Sequence, residues 1–158
     1  MSAYRTKSRK ASRNQLLNAA RHEIGHCIVA QSLGEHIYGI TIRRDASGYA
    51  DMDIPNNRPV ASLRITIAGF VTERILTGHI PTYANMKRDI SQSDDVYDIE
   101  TLLMDGRLKR DIAIPAAIAY VTKVVSEPSM KKRINKAAKR LVKTRVLRGR
   151  DFETVFKA

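Results

Sequence analysis

The chain has 158 residues, of which 43% are hydrophobic, 28% charged and 6% aromatic, and its formal net charge is +12. That much apolar material builds one core and excludes wholesale disorder. The single cysteine, Cys27, excludes a disulfide framework. The longest apolar run, Ile112–Val121, is too short for a bilayer, and the basic start lacks the apolar segment of a secretory signal. A soluble, cytoplasmic protein with no membrane span is expected.

In chain order, residues 1–13 read as a flexible basic arm and 14–158 as a single domain. A helix is expected from about Asn14 to Leu33, closed by Gly34. Two short β-type runs, Tyr38–Arg43 and Tyr49–Ile54, flank Asp45-Ala-Ser-Gly48 and predict a hairpin. Pro59 is placed to open a helix over 60–77 that stops at Gly78, and a loop of about a dozen residues follows. Further helices are expected from Ser93 to Met104, over 110–126 and, basic and amphipathic, over 130–147. Asp151 can cap a last short turn carrying Phe152 and Phe156. The fold class is mainly α with a small β-sheet or hairpin, an α+β domain.

Charge is segregated along the chain. Residues 1–21 hold six Lys/Arg and no acid, and residues 131–158 hold eleven Lys/Arg against two acids, so the ends carry +15 and the middle −3. Such ends would grip nucleic acid or an acidic protein through non-specific electrostatics. They read equally as a basic tail and a solvated helix face.

The sharpest signal is His22-Glu-Ile-Gly-His26. Two histidines at i and i+4 share one helix face, so both imidazoles can reach one Zn²⁺. Glu23 points about 100° round the helix, toward a metal-activated water, where a general base belongs. In a chain with four His, random placement gives this pattern roughly 0.004 times. The competing reading is a core histidine pair satisfied by hydrogen bonds.

A zinc hydrolase site usually takes a third protein ligand. Val29 and Ser32 stand where a Gly/His extension of the motif would lie, which leaves Glu73 or a downstream aspartate. Over 93–103, Val96, Ile99, Leu102 and Leu103 fill one arc about 120° wide. Asp95 falls inside that arc, whereas Asp94 and Asp98 project from the polar side. A carboxylate among core positions needs a compensating cation, so Asp95 is the favoured ligand and Glu73 the alternative. A first-turn Asp stabilised by the helix dipole is the plainer reading of Asp95. Glu73 shares a stripe with Ser62, Thr66 and Gly69. It suits an acceptor for a ligand histidine's free N–H, or a surface ion pair. His36 and His79 sit beside helix-ending glycines and read as loop residues.

Ala19-Ala-Arg-His-Glu-Ile-Gly-His-Cys-Ile-Val-Ala30 resembles the motif of the FtsH-type ATP-dependent zinc proteases, whose peptidase domain has alanine where Ile24 stands. Ile40-Thr-Ile-Arg43 with the Gly48 turn, Ile67–Gly78, Ser93-Asp-Asp95 and Leu141–Phe156 resemble later segments of that domain in the same order. The resemblance implies a zinc metallopeptidase of the HExxH type, with His22, His26 and Asp95 binding Zn²⁺ and Glu23 as catalytic base. No ATPase module or Walker-type loop lies in these 158 residues, and the family's Ala-Ala-Glu is Val71-Thr-Glu73 here. The expected activity is therefore endopeptidase cleavage of flexible protein segments, alone or with a separate unfoldase, with a homo-oligomer as one outcome. The edge of the hairpin near residues 40–50 would align substrate as an added strand. The alternative is a basic zinc-containing adaptor for nucleic acid or an acidic protein partner.

Overall fold

Helix α1 (Arg13–Ser32) opens on a capping box: Ser12 Oγ accepts from the Gln15 amide, and Gln15 Oε1 accepts from the Ser12 amide. In this computed structural model residues 10–156 are described, and the expected arm lies outside them over 1–9. Its end needs correction, because Ser12 caps α1, Arg13 is the first residue of α1, and the Ala11 amide donates to the Arg44 carbonyl at 3.0 Å. Gly34, at φ +86, turns the chain out of α1 in a conformation that side chains rarely adopt.

The hairpin forms as expected. Strands β1 (Ile37–Ile42) and β2 (Gly48–Met52) pair antiparallel, with Ile40 opposite Ala50. Asp45 Oδ1 accepts from the Ser47 amide and hydroxyl and sets the turn. Helix α2 (Pro59–Leu76) starts on Pro59, whose missing N–H costs nothing at a first position.

Two elements depart from expectation. The loop after Gly78 contains helix α3 (Tyr83–Ser91), capped by Thr82 and anchored by buried Met86 and Ile90. Two apolar anchors one turn apart in a polar run leave too little periodicity to read. Helices α4 (Asp95–Asp105), α5 (Arg110–Val125) and α6 (Pro128–Thr144) follow. The expected run to 147 stops early because Arg145 adopts left-handed backbone, φ 68. Val146–Arg148 then forms a third strand, β3, antiparallel to β1 with Leu147 opposite Ile40. The sheet order is β2-β1-β3, so β1 is internal and β2 and β3 are the edge strands among the described residues. In the last helix, α7 (Gly149–Phe156), Asp151 is a first-turn residue reaching back to the Arg148 amide.

The architecture is α+β: mainly helical, with one small antiparallel sheet. α1 is the central element, packed on α2, α6 and the sheet, while α2 also carries α4 and α5. Gly25 makes the α1–α2 approach possible, since a Cβ there would collide with Thr72 Oγ1 and lie 2.9 Å from the Ala68 carbonyl. Ile24, Cys27, Val29, Ile67, Val71 and Leu141 sit in the shared core. Among the described residues no helix is long and apolar enough to cross a membrane.

Candidate metal centre

The helical spacing of α1 puts His22 and His26 side by side, their ring centroids 4.8 Å apart and nearly perpendicular. His26 is buried, and its Nδ1 lies 2.7 Å from the Ile65 carbonyl of α2. A carbonyl only accepts, so Nδ1 carries the proton and Nε2 keeps its lone pair. His22 is partly exposed, wedged edge-on against Phe70 at 4.8 Å.

Two carboxylates reach the His22 ring from opposite sides. Asp95 Oδ2 lies 3.6 Å from Nε2, and Glu73 Oε2 lies 3.5 Å from Nδ1. Asp95 is the first residue of α4 and Glu73 lies near the C-terminal end of α2, so packing of α1, α2 and α4 sets both distances. His22, His26 and Asp95 each offer one ligand atom, all within 4.8 Å of one another. Two neutral imidazoles and one carboxylate form a donor set that suits Zn²⁺. The hydrogen bond from His26 to Ile65 and the carboxylate of Glu73 behind His22 are the outer contacts that orient such ligands. The residues present thus fit the group.

Glu23 faces the turn of the hairpin. Its carboxylate lies over Gly48, where a Cβ would come within 2.6 Å of Oε1. Beyond it opens a cleft of about 310 Å³. His22, Glu23, His26 and Asp95 share this cleft with Tyr49, Met52, Ile54, Ile65 and Thr66.

The electrostatics follow from burial and pairing. Burial lowers His26 to about 4, with the His22 charge acting the same way. Burial pulls His22 down too, but the carboxylates of Asp95 and Glu73 beside its ring outweigh that and raise it to about 9. Burial pushes the Glu23 carboxyl up, against the opposing pull of His22. Asp95 is held low: burial would raise it, and the adjacent His22 and His26 prevail. Without a metal the cluster therefore holds its charge as a His22–Asp95 pair.

All four residues singled out by the motif and the wheel, His22, Glu23, His26 and Asp95, meet in one place. Glu73 comes to the same ring from outside the cleft, and Cys27 stays buried in the core with its thiol pushed up by burial. His36 and His79 remain in loops, His79 within 2.9 Å of the Thr77 hydroxyl. Asp98 is exposed on the polar side of α4, as the wheel predicts, and also lines the cleft one turn after Asp95, a role that sequence reasoning missed. Sequence reasoning also missed the apolar wall of Met52, Ile54 and Ile65, which come from β2, the segment just after it and α2 and meet only in the tertiary structure. No protein-family model matches the chain, and a search of curated proteins finds no match.

Proposed function

We propose that the chain is a zinc-dependent endopeptidase with a zincin-like active-site helix, similar to the peptidase domain of FtsH-type proteases. The observation that supports this reading is the convergence of His22, His26 and Asp95 beside Glu23 at the floor of an open cleft. His22, His26 and Asp95 would hold the metal. When bound, zinc supplies Lewis acidity that polarises a peptide carbonyl and acidifies water.

The chain's own residues do the rest. Glu23 takes a proton from the attacking water on its carboxylate and returns it to the departing amine nitrogen. Its raised carboxyl pKa suits it to hold that proton in transit. The His26 Nδ1–H stays on the Ile65 carbonyl and locks the ring, while Glu73 orients His22 through Nδ1. β2 flanks the cleft with an open edge, along which an extended substrate segment would add as a strand. Met52, Ile54 and Ile65 offer an apolar wall for one of its side chains.

The test is cleavage of an unstructured labelled protein by the zinc-loaded chain, with Glu23→Gln alongside. Glu23→Gln should retain zinc while losing turnover by about 10²–10⁴-fold. Undiminished cleavage by that variant would overturn the mechanism.

A further inference from the structure

The apolar run Ile112–Val121, too short for a bilayer, is also too apolar for an ordinary surface helix. α5 turns Ile114, Ala117, Ile118 and Val121 into the core, but its outer side is Ile112, Pro115, Ala116 and Ala119, all exposed. Beside that stripe lies a groove of about 300 Å³, walled by Val60, Leu63, Leu108 and Ile112. Its charged lining residues are Arg64, Arg107 and Lys109, with no acid among them. Among the described residues none of these three pairs with a carboxylate. Arg64 rests on the Tyr120 ring, 4.1 Å from its centroid, and its buried Nε has no hydrogen-bond partner among the described residues. Gly106 abuts Pro59 so closely that a Cβ would meet it at 2.7 Å, which fixes the cationic corner to the start of α2.

The same chain carries the complementary surface. On α4, Tyr97, Thr101 and Met104 fall on one face at i, i+4 and i+7, and Tyr97 and Met104 are 77% and 74% exposed. Asp94, Asp98 and Asp105 run along one flank of that stripe, all exposed. An acidic helix with an uncovered apolar stripe and an apolar groove with an unpaired cationic rim match in both shape class and charge.

We propose that this groove takes α4 of a second copy of the chain, with Tyr97 and Met104 on the α5 stripe and the aspartates on Arg64, Arg107 and Lys109. The N-terminal residues 1–9 are the wrong occupant, since they hold Arg5, Lys7 and Arg9 and no acid. Asp95 opens the same helix, so the contact also clamps the element that brings its carboxylate to His22.

Sedimentation velocity over a range of concentrations tests this, with Ile112→Asp for the groove and Met104→Lys for α4. Both residues are exposed, so both variants should keep the circular dichroism of the unaltered chain. The unaltered chain should self-associate, each variant should weaken that by about tenfold or more, and high salt should weaken it too. An equimolar mixture of the two variants should regain association, because one intact groove then meets one intact α4. A chain that stays monomeric, variants that associate as before, or a mixture that does not recover would each overturn the proposal. So would a monomeric chain that binds a free synthetic Glu/Leu helix at the groove, which would assign it to a different acidic protein.

Discussion

Gly69 lies flat against the imidazole of His22: a Cβ built on it would collide with Nε2 and come within 2.7 Å of Cε1. The ring has little room to retreat, with Phe70 edge-on at 4.8 Å and the carboxylates of Glu73 and Asp95 on either side. A glycine at this point of α2 is what lets α1 present that histidine to the cleft.

Gly69→Ala is therefore expected to displace the His22 ring. Overpacking should cost about 1–3 kcal/mol of stability, and zinc affinity should fall about 10–100-fold. Calorimetric titration of the metal-free chain with zinc checks this. Unchanged affinity would show that the ring position does not govern metal binding.

Gly48→Ala should act on Glu23 instead. The clash there is with Cγ, Cδ and Oε1 of the flexible Glu23 side chain, which must swing aside. Zinc content and melting temperature should stay close to those of the unaltered chain, while turnover drops by about tenfold or more as the base loses its position. Measuring zinc content and peptide cleavage on the same preparation separates the two effects.

Asp95 and Glu73 face different nitrogens of one ring, and their substitutions should differ accordingly. Asp95→Ala is expected to abolish stoichiometric zinc. Glu73→Gln should keep it, with affinity reduced about tenfold through a less well oriented His22. Metal analysis after gel filtration gives the answer, and the reverse pattern would exchange the two roles.

In the metal-free chain the two histidines make stability depend on pH in opposite senses. Burial holds His26 at about 4 against 6.5 unfolded, so the unfolded state binds the extra proton. Its contribution is present above about pH 6.5 and is lost as pH falls toward 4. For His22 burial is outweighed by Asp95 and Glu73, and the folded value is about 9. Its contribution is full below pH 6.5 and is lost as pH rises through 9. These two groups together place the stability maximum near pH 6.5. Urea midpoints in the presence of a chelator should show it, with His26→Gln flattening the acid limb and His22→Gln the alkaline limb.

What the sequence determined by itself is local. The His22-Glu-Ile-Gly-His26 spacing puts two imidazoles on one face of a helix, because 3.6 residues make a turn. Gly34, Pro59 and Gly78 mark helix ends through backbone chemistry that needs no partner, and the Asp45–Gly48 turn fixes the hairpin. Even the inward direction of Asp95 follows from the wheel of its own helix. The tertiary structure decided the rest. Val146–Arg148 is a strand only because β1 offers it an edge, and α3 is a helix held by two apolar side chains that find a core. That Glu73 meets Nδ1 and Asp95 meets Nε2 of one His22 ring depends on how α2 and α4 pack against α1 and each other. Periodicity and capping act over one or two turns, whereas a distance between residues 22, 73 and 95 is set by the packing of separate helices, which no local pattern encodes.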